Sequence, residues 1–204
     1  MFWSFCCTEV VFEKLVFVVI DGLDASGKST QGINLYRHLI RSGRTAFLRV
    51  HPSDDNLFGS EARRFLYSKG KSAHFASALF YMFDVIRSIL LYSWRRYDYV
   101  VFVRYLLGTA YLPTPLDKIG YHFFASIVPT SNYMFFLDVR PEEANNRIRR
   151  VRSRTEMFES LENLKKIRRK AQSLVSTSKW RIIDGDKPQR DVERAIADTL
   201  GIPF

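Results

Sequence analysis

Cysteine is scarce in this sequence: two residues among 204, and those two, Cys6 and Cys7, are adjacent. Neighbouring cysteines close no long-range staple and lack the paired spacing of a structural metal site. Disulfide scaffolds and zinc modules are therefore excluded, and a reducing, cytoplasmic setting is expected. Long apolar runs are missing as well. The longest, Leu15 to Ile20 and Ala78 to Phe83, fall far short of the ~20 residues of a membrane-spanning helix, so no membrane partner is expected. No basic residue precedes Lys14 in the apolar start, so the charged opening of a signal peptide is lacking, and residues 1–14 read as a short extension packed on the domain surface. There is no repeat, no low-complexity tract and no Pro/Gly-rich linker. His38, His51, His74 and His122 are scattered, without metal-ligand spacing. Acidic residues are in deficit, 21 against 31 Lys and Arg, which gives a net charge of +10 and favours polyanionic partners: nucleic acid, anionic lipid or phosphorylated small molecules.

What is present is an ordinary globular composition. With 47% hydrophobic and 15% aromatic residues the chain is not intrinsically disordered. Its 204 residues suit one domain, residues 15–204, with a sizeable core. Runs rich in Val, Ile, Phe and Tyr predict strands over 15–20, 45–50, 99–103, 133–139 and 181–183. Between them, helices are predicted over 28–41, 60–67, 72–94, 141–151, 157–176 and 188–200. Alternation of this kind means an α/β three-layer sandwich around a five-stranded parallel sheet. The helix carrying Phe75, Leu79, Phe80, Phe83, Ile86 and Leu90 is apolar around most of its circumference and is expected to be central and buried. The basic residues concentrate between Arg140 and Arg181, in a lid-like segment at about 147–158 and on a helix face from Lys165 to Lys170.

One motif carries chemistry by itself. Gly22-Leu23-Asp24-Ala25-Ser26-Gly27-Lys28-Ser29 matches G-x-x-x-x-G-K-[ST], directly after an apolar strand and at the opening of a helix. Glycines let backbone N–H groups curl around phosphate oxygens, and the helix N-terminus adds partial positive charge. In such a P-loop Lys28 reaches the β- and γ-phosphates of ATP, and the Ser29 hydroxyl ligates Mg2+. The segment from Gly22 to Thr30 is thus the candidate ATP site.

Extended by its neighbours, Ile20 to Gln31 resembles the opening of thymidylate kinases, which transfer the ATP γ-phosphoryl group to dTMP. Arg104-Tyr105, Phe136-Leu137-Asp138-Val139 with Pro141-Glu142-Glu143-Ala144, the arginine-rich stretch leading to Glu156-Met157-Phe158-Glu159, and Trp180 to Asp184 resemble later segments of that family, in its order. The resemblance implies that Asp24 lies near the acceptor and its phosphate, and that Arg104 holds the acceptor phosphate and the transferring group. It implies a homodimer built on the apolar helix. It also implies a further catalytic arginine on the P-loop or in the lid. Ala25 occupies the P-loop position, so Arg150, Arg152 or Arg154 is expected to supply the charge, with Arg150 and Arg154 named as catalytic. Phe80 or Tyr81 is a candidate for stacking on the base, and Arg87, Tyr105 and Tyr111 are candidates for acceptor binding.

The sequence also departs from the family pattern. Val103 stands where an Asp precedes Arg-Tyr, which reduces metal support unless Asp21, Asp24 or Asp98 compensates. Val50-His51-Pro52 stands where Arg-Glu-Pro is frequent, leaving Arg49, Asp54 or Asp55 to take over. Leu112 replaces a polar base-reading residue. Two other functions stay open on sequence alone: a related kinase with a different nucleotide or nucleoside acceptor, and a catalytically weak nucleotide-binding protein that uses its basic surface for nucleic acid or a partner. Nucleic acid is not the partner expected first.

Overall fold

In a computed structural model of the protein, residues 15–67, 71–92, 97–151 and 160–203 are described. The expected extension 1–14 and most of the expected lid, residues 152–159, lie outside them. Five strands, β1 Val16–Gly22, β2 Ala46–Val50, β3 Tyr99–Val103, β4 Tyr133–Asp138 and β5 Trp180–Asp184, form one parallel sheet in the order β2-β3-β1-β4-β5. Among the described residues seven helices surround it: α1 Lys28–Arg41, α2 Leu57–Leu66, α3 Lys71–Tyr92, α4 Leu116–Ile127, α5 Pro141–Val151, α6 Leu161–Val175 and α7 Gln189–Leu200. This is the expected three-layer sandwich.

Side-chain alternation in the strands builds a core on each sheet face. Val18 and Ile20 of β1, Val101, Phe135 and Leu137 meet Leu35 and Leu39 of α1 and Val192 and Ile196 of α7. On the opposite face Val19, Phe102, Phe136 and Tyr105 pack with Val85, Phe124, Ile167 and Leu174 from α3, α4 and α6. Because β1 lies between β3 and β4, its carboxyl end is where the chain switches from one half of the sheet to the other. That crevice is the usual ligand position of open α/β sheets.

Several sequence expectations need correction. Helix α2 begins at Leu57 rather than Ser60, because Asn56 caps it: its side chain accepts from Gly59 N. Helix α6 begins at Leu161, capped by Ser160, whose hydroxyl accepts from Asn163 N. A short 3-10 helix, Leu107–Tyr111, and the whole of α4 were not foreseen. Helix α3 is not wholly buried: Phe75, Leu79, Phe83, Leu90 and Leu91 are exposed. Its Phe75–Tyr92 segment, with a mean hydropathy of 1.5, is also long and apolar enough to cross a membrane, which uninterrupted runs did not reveal. Here its fully buried Asp84 ties it to the domain, accepting hydrogen bonds from Ser53 N and Oγ and from Asn56 Nδ2.

Candidate active site

At the carboxyl end of β1 the chain turns through three residues with positive φ, Gly22 at 156°, Ala25 at 58° and Gly27 at 89°, before α1 starts at Lys28. Gly22 is required for space as well as conformation. A Cβ there would lie 2.6 Å from Ser26 Oγ and 2.7 Å from the Leu137 carbonyl oxygen. Ala25 packs against the cluster of Val139, Ala144, Ile148 and Leu164, so the P-loop leans on α5 and α6 and carries no cation beside Asp24 at position 25. Lys28 is 4% exposed; its Nζ donates to the Leu23 carbonyl at 2.6 Å and lies 3.7 Å from Asp24 Oδ1.

Asp24 is the hub. Arg104 Nη2 donates to its Oδ1 at 2.7 Å and the Tyr111 hydroxyl to its Oδ2 at 2.9 Å. Burial raises the Tyr111 phenol well above its ordinary value, so it stays a hydroxyl donor. Arg104 follows β3 directly and has a left-handed backbone, φ 62°. The loop bearing it is held by Asp21, whose Oδ2 accepts from Tyr105 N and Leu107 N and whose Oδ1 accepts from Gly22 N. Burial nonetheless raises the Asp21 pKa, outweighing those donors and the charge of Lys28. Asp21 therefore braces two loops through three backbone N–H groups, and it also lines the cleft beside Asp24 and Lys28.

A cleft opens from this cluster. Asp24, Lys28, Arg104 and Tyr111 line its polar end, and Pro52, Leu66, Ala78 and Tyr81 its apolar end. One wall is fixed by Tyr81, whose hydroxyl donates to the Tyr105 carbonyl at 3.0 Å. A Cβ at Gly108 would approach the Tyr81 ring to 2.5 Å, so that residue too is glycine for space.

The structure thus brings Asp24, Lys28, Arg104 and Tyr111 together and places three other candidates elsewhere. Tyr105 is fully buried, its ring against Phe17 and Phe102 and its hydroxyl donating to Pro129 O; only its backbone serves the site. Phe80 stacks on Phe65 at 5.8 Å, and Tyr81, one residue on, lines the cleft. Arg87 lies 3.8 Å from Asp55, away from the cleft lining. Of the substitutes for the Arg-Glu-Pro segment, Arg49 and Asp55 form a bidentate pair that holds the Asp55 carboxyl far below its usual range, while exposed Asp54 pairs with Arg63. Asp98 precedes β3 at the opposite edge of the sheet, bound to Thr45, and cannot support a metal at the P-loop. Val103 is buried and leaves no room for a side chain on Gly32 of α1. Arg150 is exposed on the last turn of α5; Arg152 and Arg154 lie outside the described residues.

One contact was not singled out from the sequence. Arg147 of α5 donates to the carbonyls of Ala25, at 3.4 Å, and Gly185, at 3.2 Å, joining the helix before the lid to the P-loop. The basic face of α6 is largely committed internally: Arg168 to Asp138, Lys165 to Glu142, Lys166 to Glu162, and Lys170 to the Leu112 carbonyl. That pairing leaves less charge for a polyanion than the sequence suggests.

Among the described residues no cluster of three His, Cys, Asp or Glu side chains could hold a metal ion. The Ser29 hydroxyl, half-buried on the first turn of α1, is a hard oxygen donor next to Lys28. Such a donor set suits Mg2+ carried mainly by nucleotide phosphates, not a protein cage.

A family model described as thymidylate kinase matches residues 20–196. The chain belongs to the thymidylate kinase family. It is 28% identical over 188 residues to a thymidylate kinase of Leptospira interrogans, covering 88% of this chain and 91% of that protein. It is 27% identical over 172 residues to a probable thymidylate kinase of Metallosphaera sedula, covering 84% and 85%. The fold is similar to that of Candida albicans thymidylate kinase, with a TM-score of 0.69, 16% identity and 91% of each chain covered.

Proposed function

We propose that this thymidylate kinase family member transfers the γ-phosphoryl group of ATP to dTMP where the P-loop meets the cleft, with Asp24, Lys28 and Arg104 as the working residues. The observation that carries this reading is the shared position of Asp24: one carboxylate touches the acceptor-side Arg104 and Tyr111 and also lies beside the P-loop Lys28. ATP would sit with its phosphates on the backbone N–H groups of residues 22–30. Ser29 would hold Mg2+, which neutralises phosphate charge when bound. The dTMP phosphate would take Arg104 at the polar end of the cleft, and its base the apolar end beside Tyr81 and Leu66. Phosphoryl transfer needs little covalent help from the protein, so positioning and fixed charge suffice.

Two measurements test this. ATP consumption across a panel of nucleosides and monophosphates should be fastest with dTMP. Faster turnover on another acceptor would reassign the substrate, and no turnover at all would leave only nucleotide binding. Calorimetry on Arg104→Ala should then show dTMP weakened about ten- to a hundredfold, as for a lost charge-assisted contact of ~1.5–3 kcal/mol, with ATP little changed. Equal loss for both nucleotides would count against Arg104 as the acceptor arginine.

A homodimer and a cytoplasmic setting, where ATP and nucleoside monophosphates occur together, belong to the same proposal. Exposed Phe75, Leu79, Phe83 and Leu90 recur on one face of α3, a self-complementary apolar stripe suited to an isologous contact. Light scattering should give twice the chain mass for the wild type and the chain mass for Phe83→Glu. A monomeric wild type would remove the dimer.

A further inference from the structure

We infer that His51 is a positioning residue for the acceptor step: its Nδ1–H holds the Arg104 carbonyl and fixes the left-handed backbone from which the Arg104 guanidinium reaches Asp24. This rests on the reading of Arg104 given above.

Arginine has no intrinsic reason to adopt φ 62°, because its Cβ then crowds the following carbonyl. Such a conformation persists only where surrounding contacts over-determine it. Four contacts do so. Arg104 N donates to Ile20 O at 3.1 Å, and Arg104 O lies 3.0 Å from His51 Nδ1. The next peptide is tied by Asp21 at Tyr105 N and by the Tyr81 hydroxyl at Tyr105 O. Ile20, Asp21 and Tyr81 act from β1 and α3, whereas His51 acts from the end of β2 and anchors the loop from that side.

His51 is itself fixed. It is 1% exposed, its N donates to the Val103 carbonyl at 3.0 Å, and its ring stands edge-on to Phe102 at 5.1 Å. A carbonyl accepts and does not donate, so the ring proton resides on Nδ1. Nε2 is buried without a hydrogen-bond partner among the described residues, so a second proton there finds no acceptor among them. Burial pulls the imidazolium down to about 4, while Asp84 and Arg49, the charged groups acting on it, oppose one another. The ring is therefore neutral at physiological pH. It constrains Arg104 geometrically and exchanges no proton with substrate.

The three-way comparison of His51→Asn, His51→Gln and His51→Leu separates this role from packing. Asn places an amide N–H where Nδ1–H lies; Gln places one nearer Nε2; Leu fills space without a donor. By calorimetry and steady-state kinetics, Asn should keep dTMP affinity and kcat within about threefold of wild type. Gln and Leu should weaken dTMP about tenfold and lower kcat, with ATP affinity unchanged. Should Leu prevent folding, the Asn–Gln difference still decides. In an Arg104→Ala background His51→Gln should add less than about twofold, because its effect passes through Arg104. Asn no better than Gln, or equal His51→Gln losses with and without Arg104, would overturn the assignment. If Arg104→Ala weakens dTMP but His51→Gln does not, His51 alone is wrong. If Arg104→Ala leaves dTMP binding intact, the reading of Arg104 fails and this one with it.

Discussion

Lys28→Ala will lower kcat by about 10³-fold or more, roughly 4 kcal/mol of transition-state stabilisation, and leave the fold in place. The size follows from where the ammonium sits. It is 4% exposed, 2.6 Å from the Leu23 carbonyl and 3.7 Å from Asp24, held inside the turn of the P-loop. A charge fixed in a site shielded from water interacts with developing phosphoryl charge more strongly than one on a solvated, mobile chain, and it reorganises little during transfer. Stability should suffer less than catalysis. Removing Lys28 leaves the Leu23 carbonyl without this donor, but Asp24 keeps Arg104 and Tyr111, so the cost is about 1–3 kcal/mol. Unchanged circular dichroism with kcat reduced a thousandfold is the expected pair of results. Turnover within a few-fold of wild type would take the P-loop out of the mechanism.

Lys28 was legible in the sequence because its environment is local: the motif, the strand before it and the helix after it are contiguous, from Val16 to Arg41. The strands and α1 were legible for the same reason, since apolar runs and a 3.6-residue period are properties of short windows. What escaped depends on distant partners. Helix α4 follows Pro113 and Pro115 and carries Gly120 among β-branched and aromatic residues, a poor helical composition. It forms because Tyr121 and Phe124 are buried, and the Tyr121 hydroxyl accepts from Trp180 Nε1 at 2.8 Å. The phase of α3 was unreadable because it is apolar nearly all round; no pattern distinguishes Phe80, on Phe65, from Tyr81, in the cleft. Tyr105 adjoins the acceptor arginine, yet its ring is turned into the core while Asp21 and Tyr81 use its backbone. An acid ending an otherwise apolar strand was the available sign that Asp21 binds backbone groups.

Replacing one lid arginine will produce the other large effect. The transferring phosphoryl group spreads negative charge over its equatorial oxygens, and in the proposed arrangement Lys28 and Arg104 would approach it from the ATP and acceptor sides. The P-loop contributes no third cation, because Ala25 ends in a methyl group packed on Ala144 and Ile148 of α5. That same contact brings α5 over the loop, where Arg147 donates to the Ala25 carbonyl. The chain after Arg147 therefore starts beside the phosphate site and carries Arg149, Arg150, Arg152 and Arg154, of which the last three are the candidates for the third cation. We propose that one of them enters when both nucleotides are bound, which also keeps water from acting as acceptor. A contact made mainly in the transition state changes kcat and leaves ground-state affinity nearly alone. Single alanine substitutions at the three positions, each with full kinetics for ATP and dTMP, should include at least one with kcat lower by about 10³ and KM nearly unchanged, a loss of about 4 kcal/mol. If all three stay within about tenfold of wild type, only ~1.4 kcal/mol, the third cation does not come from this segment. Arg147 would then be next to test, with a different expected signature. Its bonds to the Ala25 and Gly185 carbonyls brace the backbone of the ATP-binding loop, so its loss should raise KM for ATP as well as lower kcat.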